Sequence, residues 1–280
     1  MEFPELPKLP LDVWIDDGLG FLKHHIAFLT KAISDITENS LDFIIEHLLA
    51  LPPWLIIIVF SMLAWRIAGR GIGLFGLFGL SLVWNLQLWE PMIETLILVI
   101  FATLLSISIA IPLGILAALS KTFYRIMMPI LDFMQTMPAF VYLIPAIPFF
   151  GLGAASAIFA TIVFSMPPSI RLTCLGIRQV PEELIEAADA FGSTKAQKLF
   201  KLQLPLAIPT IMAGINQTIM LALSMVVIAA MIGAGGLGRE VWVAIQRLQP
   251  GKGFEAGIAI VILAIILDRI TQKLGKRHES

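Results

Sequence analysis

The chain has 280 residues, 58% of them hydrophobic and only 14% charged, with a formal net charge of −1 and a mean hydropathy of +0.90. Soluble domains run near 45–50% apolar and ~25% charged, so a water-soluble fold of this size would expose large apolar patches. Disorder and collagen-like repeats are excluded as well, and the single cysteine, Cys174, excludes a disulfide framework or a thiolate zinc site. The fold class expected is an all-α polytopic membrane protein.

In chain order, residues 1–47 hold nine acidic and three basic side chains and lack the basic start and compact apolar core of a signal peptide. Pro4, Pro7 and Pro10 predict an extended start. From Leu11 to Leu49, Phe21, Ile26, Phe28, Leu29, Ile33 and Ile36 recur at helical spacing among acids. That pattern predicts an amphipathic helix lying along a surface or on another element, or a solvated helical tail.

A bilayer core takes about 20 mostly apolar residues per crossing. Seven stretches qualify: 50–66, 72–89, 93–119, 127–150, 154–170, 206–233 and 254–268. Basic residues follow spans 1, 3, 5 and 7 and leave the loops after spans 2 and 4 empty. Thirteen of the 19 lie in those alternate loops. Basic loops stay inside, so the N-terminus is expected outside and the C-terminus inside. Trp54, Trp84 and Trp89 stand where interfacial tryptophans belong. In span 3, Ala110, Gly114 and Ala118 predict close packing on a neighbour.

Span 4 is the unusual one. Pro138, Pro145 and Pro148 fall within eleven residues, which predicts a broken helix whose freed carbonyls line a cavity. Asp132 is an ionisable group within this span, and such groups mark function. It is placed to attract a cation, or to pair with Arg125. Candidate pathway residues are Asp132, Met134, Gln135, Thr136, Phe140 and Tyr142, with Met220 and Ser224 from span 6. Aromatic faces hold quaternary ammonium groups through cation–π attraction, so Phe149 and Phe150 join Phe140 and Tyr142 as possible faces. Methionines, Met225 included, offer adaptable walls. Simple packing is the competing reading for all of them.

The loop 171–205 is polar and lies on the inner side. Pro181, Glu182 and Glu183 open a helix that Gly192 closes. Ser193 is expected to cap a second helix, stopped by Leu204-Pro205. Leu184, Ala187, Ala188 and Phe191 form an apolar face suited to a partner's groove or to this chain's own helix ends. Lys195, Lys198 and Lys201 make a basic stripe suited to anionic headgroups. Beyond span 6, Gly233, Gly235, Gly236 and Gly238 formally spell G-x-G-x-x-G. They end an apolar helix and no Lys-Ser/Thr follows, so the string reads as a helix break at the outer mouth, a candidate outer gate, and not as a nucleotide loop. His24, His25, His47 and His278 lack metal spacing, and no nucleophile–base pair is apparent. No metal site and no catalysis by this chain alone are expected.

One spacing is specific. Glu186-Ala187-Ala188, three residues, Gly192, nine residues and Leu202-x-Leu204-Pro205 resembles the EAA signature of importer-type ABC permeases, with Leu202 where isoleucine is usual. Residues 131–145 (LDFMQTMPAFVYLIP), Pro167 to Thr173, Gln203 to Ala229 and Ile260 to Arg269 are similar to permease subunits of glycine betaine/proline betaine ABC importers. The resemblance covers 90–273 closely and 1–89 in layout.

It implies the type I importer permease fold: an N-terminal segment 1–49, a transmembrane permease domain 50–273 containing the cytoplasmic loop 171–205, and a cytoplasmic tail 274–280. It also implies a bacterial plasma-membrane homodimer that docks two ATPase subunits through Glu186, Ala187, Ala188, Gly192, Leu204 and Pro205 and receives solute from an extracytoplasmic binding protein. Uptake of glycine betaine, proline betaine, carnitine or choline is implied, with ATP and Mg on the partner and no cofactor here. The competing class is an ion-coupled secondary transporter with Asp132 as coupling acid. A passive channel or a receptor-like seven-helix protein is disfavoured by the EAA pattern.

Overall fold

The computed structural model describes residues 9–276. Pro4, Pro7, Arg277 and His278 lie outside the described residues. Every regular element described is helical.

The acidic segment forms α1 (Leu11–Leu49), which meets α2 (Pro53–Ala68) at 101°. Pro52 ends one helix, since proline has no N–H to continue the ladder, and Pro53 opens the next. Burial on α1 runs against simple amphipathic expectation. Thr30, Ser34, Thr37 and Leu41 form its buried stripe, and Ser34 donates to the Phe150 carbonyl at 3.3 Å. Phe21, Phe28 and Ile36 of the apolar stripe stand exposed, Phe28 at 89%.

α2 and α3 (Arg70–Asn85) form a tight hairpin about Gly69 at φ +98°. Gly73, Gly76 and Gly79 seat α3 against Trp65 and Ser61 of α2 and against Ile262.

The centre of the molecule is built from α4 (Trp89–Leu119), α7 (Ala154–Arg178) and α10 (Leu204–Ala229). Without hydrophobic drive between lipid-bathed helices, small residues and satisfied hydroxyls bring them together. Gly114 packs on Ile170 and Thr173, as the Ala110–Gly114–Ala118 spacing predicts. Gly176 packs on Ala207 and Thr210, and Gly214 on Ser169. Ser106 bonds Ser165 at 3.0 Å and Ser169 bonds Thr218 at 2.7 Å. Trp89 is buried to 8%, so it belongs to the core and not to the interfacial belt; Trp54 and Trp84 are exposed as expected.

Span 4 divides into α5 (Lys121–Thr136), a 3₁₀ turn (Ala139–Tyr142) and α6 (Leu143–Phe150), bent by 112°. The break sits at Met137, extended at ψ 134° before Pro138 as a pre-proline residue prefers. α8 (Glu182–Ala190) and α9 (Lys195–Lys198) form the loop between α7 and α10. α11 (Leu237–Gln246) occupies a connection the sequence left unassigned, and α12 (Pro250–Lys276) packs along α10, α11 and α3.

Among the described residues, three helices are long and apolar enough to cross a membrane, and two bent pairs raise this to five. These match spans 1, 3, 4, 5 and 6 of the seven expected. α3, in place of span 2, is only 16 residues, and α12, in place of span 7, carries Lys252, Glu255, Asp268, Arg269 and Lys273.

The loop between the fifth and sixth spans, the pathway candidates and the glycine turn

α7 runs on to Arg178, so the exposed loop starts near Pro181 and not at Arg171. Pro181 is the N-cap of α8, with Glu182 and Glu183 complementing the helix N-terminus. Gly192 takes φ +73°, and the Gly192 and Ser193 N–H groups return to the Asp189 and Ala188 carbonyls at 2.9 and 3.0 Å. Thr194, not Ser193, caps the next helix, in a reciprocal box with Gln197. Lys198 Nζ grips both Asp189 oxygens at 2.6 and 2.8 Å and so locks α8 to α9. That pairing removes Lys198 from the expected lipid-facing stripe, leaving Lys195 and Lys201 exposed.

Leu204-Pro205 does not stop the second helix. α9 passes through a π turn (Leu199–Gln203) straight into α10. Pro205 lacks an N–H and crowds the carbonyl four residues back, which a wider π turn accommodates. The loop and the sixth span are one rod.

No residue of α8 is buried. Leu184 is 42% exposed and Phe191 90%, so this face does not pack on the chain's own helix ends. Glu186, Ala187 and Gly192 are exposed with it, while Ala188 is half-buried.

Asp132 is paired with Arg171 of α7, 39 residues away, and not with Arg125. Gln135, Thr136 and Phe140 are exposed beside it, and Met134 is half-buried against α4 and α7. Tyr142 is 5% exposed. Its hydroxyl donates to the Met134 carbonyl and its ring meets Phe164 edge-on at 5.6 Å, so it braces the break. Phe150 stacks on Phe159 at 4.7 Å. Tyr142 and Phe150 therefore pack on neighbouring rings, while Phe140 stands exposed. On α10, Met220 and Ser224 are exposed, in line with Ala213 and Gln217, whereas Met225 is fully buried. Spacings of four, three and four residues place Ala213, Gln217, Met220 and Ser224 on one face.

At the end of the bundle away from the α8–α9 loop, Glu94 and Thr95 were not among the candidates, although an acid at the start of span 3 was a legible signal. Glu94 Oε2 accepts from the Gly236 N–H at 2.5 Å, and Thr95 Oγ1 accepts from the Leu237 N–H at 2.8 Å. They satisfy the first free N–H groups of α11. Gly236 lies at φ +82°; a Cβ there would fall on Thr95 Oγ1, and one on Gly238 on the Val226 carbonyl. A Cβ on Gly235 would stand 2.5 Å from Glu94 Oε2, and Gly233 takes φ +90°. The Gly153 N–H donates to the Ile232 carbonyl at 2.9 Å. The glycine string is thus a latched turn joining α4, α7, α10 and α11.

The family model described as binding-protein-dependent transport system inner membrane component matches residues 110–279. The glycine betaine transport system permease protein OpuAB of Bacillus subtilis is 52% identical over 98% of this chain and 98% of its own. The glycine betaine/carnitine transport permease protein GbuB of Listeria monocytogenes is 51% identical, covering 99% of each. The glycine betaine/proline betaine permease protein ProW of Escherichia coli is 47% identical over 97% of this chain and 77% of its own. Among solved structures, a chain of the inward-facing MetNI methionine ABC transporter is 25% identical with a TM-score of 0.58, covering 68% of this chain and 93% of that one. The chain belongs to the binding-protein-dependent transport system inner membrane components, as an ABC permease subunit of the type I importer fold.

Proposed function

We propose that this chain forms the translocation pathway of an ATP-driven importer for glycine betaine or a related quaternary ammonium solute: proline betaine, carnitine or choline. The observation that carries the reading is the α8 face. Leu184 and Phe191 stand in solvent on a loop rigidly joined to a membrane helix. Exposed apolar groups on a braced helix suit a partner's groove, and two copies of the chain would present two such helices to two ATPase subunits. ATP and Mg bind there. Closure of the ATPase pair moves α8, and the Lys198–Asp189 clamp and the unbroken α9–α10 rod carry that motion into the bilayer. Glu186, Ala187, Ala188 and Gly192 form the docking helix and its turn, and Leu204 and Pro205 belong to the rod.

In this reading residues 1–49 lie at the outer surface, 50–273 form the permease domain and 274–280 the cytoplasmic tail. The N-terminus is outside the bacterial plasma membrane, and lipid surrounds the spans. An extracytoplasmic binding protein delivers solute to the mouth latched by Gly233, Gly235, Gly236 and Gly238. Asp132, Met134, Gln135, Thr136, Phe140, Met220 and Ser224 border the route, with Tyr142 bracing it. A secondary transporter would need Asp132 as a free coupling acid, and its pairing with Arg171 takes it from that role.

The substrate class is tested in cells stripped of other betaine uptake and expressing the chain with its ATPase and binding protein. Labelled glycine betaine should accumulate, with excess choline or carnitine competing and excess methionine without effect. No betaine uptake, or competition by methionine, overturns the assignment.

A further inference from the structure

A cavity of about 360 Å³ lies between the first half of α10 and the last turns of α12, bordered by Met212, Asn216, Gln217, Gln272 and Gly275. It opens at the base of the exposed α10 face that higher up carries Met220 and Ser224, at the end of the bundle that bears the coupling loop. Behind it is Asp268, whose side chain is 20% exposed. Asn216 Nδ2 donates to Asp268 Oδ1 at 2.8 Å, and Gln272 Nε2 donates to Asp268 Oδ1 and Oδ2 at 2.8 Å each.

A carboxylate only accepts hydrogen bonds, so both amides must turn their nitrogens toward it. Gln272, whose nitrogen turns to both carboxylate oxygens, has its acceptor oxygen left to offer the cavity, while Asn216 keeps one N–H beyond the one given to Asp268. Asn216 Oδ1 is buried with almost no surface open to the cavity and has no donor partner among the described residues, a cost that the folded chain carries at this point. Asp268 also meets Arg269, whose Nε stands 3.9 Å from Asp268 Oδ2 with its side chain 55% exposed. A pair that exposed and that long neutralises little. The cavity is thus bordered by the Gln272 acceptor oxygen and the Gln217 amide, backed by the Asp268 carboxylate, and walled by the soft side chain of Met212.

We infer that this cavity is an inner-side site for an organic ammonium group, where the transported solute pauses before release; this rests on the proposed solute class. A methylated ammonium donates no hydrogen bonds and is satisfied by surrounding oxygen and polarisable carbon, which is what the cavity presents. Asp268 acts behind the site by fixing the two amides.

The test uses the purified full chain in complex with its ATPase and follows thermal unfolding with tetramethylammonium, with potassium, and with neopentanol as a neutral molecule of like size. Tetramethylammonium should raise the midpoint of the wild type, and neopentanol and potassium should not. Asp268→Asn and Gln272→Leu should abolish the shift. Gln217→Trp, which fills the cavity from an exposed position without touching Asp268, should abolish it too and guards against misfolding of the Asp268 variant. No shift in the wild type, a shift with potassium or neopentanol equal to that with tetramethylammonium, or a full shift in Gln217→Trp overturns the site. These readings are independent of uptake, so failure of the site and failure of the transport assignment are separable.

Discussion

At Gly192 one backbone angle decides the geometry of the coupling loop. A φ of +73° costs an L-residue about 1–2 kcal/mol, and more for a β-branched one. Gly192→Val is predicted to abolish uptake while the chain still inserts in the membrane, read by uptake assay alongside membrane fractionation. Retention of both ATPase binding and uptake would contradict the assignment. Next to it, Phe191 at 90% exposure contributes almost nothing to this chain's own fold. Phe191→Ala should leave stability within about 0.5 kcal/mol yet weaken ATPase binding by about 30-fold, as loss of an aromatic anchor does, measured by titrating the purified subunits. The residues of this loop were legible because capping and turn chemistry are local. Even the true cap was written in the sequence, since Thr194 and not Ser193 has a glutamine three residues on. The Asp132–Arg171 pair was not legible: 39 residues separate its members, and only packing of α5 on α7 brings them together.

At the level of elements, two devices transmit or hold position. Lys198 clamps Asp189 across the turn, so Asp189→Ala should leave ATPase docking intact and lower uptake several-fold by letting α8 swing against α9; equal loss of docking and uptake would mean the clamp only supports the docking face. The outer glycine turn is held by Glu94 and Thr95. Gly236→Ala combines a positive φ with a clash on Thr95 and should cost about 1–3 kcal/mol, seen as a lower unfolding midpoint of the detergent-solubilised chain. Helix breaks at Pro52 and Pro138 could be read from proline alone. The uninterrupted passage of α9 into α10 could not, because a π turn absorbs Pro205 where an α-helix would have to stop. α1 misled for another reason. Its protein-facing stripe is Thr30, Ser34, Thr37 and Leu41, and in a membrane-bound chain an apolar face need not be the face that packs.

For the molecule as a whole, composition pointed to a membrane chain, and the spacing of Glu186, Gly192 and Leu204-Pro205 pointed to the family. The central bundle of α4, α7 and α10 depends on glycines and hydroxyls that meet across long sequence separations, which no local pattern announces. Its hydrophobic helices form a conduit, and the exposed α8 face implies that the energy arrives from another chain. The most direct measurement is the initial rate of labelled glycine betaine uptake into proteoliposomes, with the binding protein outside. The account predicts uptake only when the ATPase subunits and internal ATP are both present. Uptake by the purified chain alone, driven by a proton or sodium gradient without ATP, would contradict it.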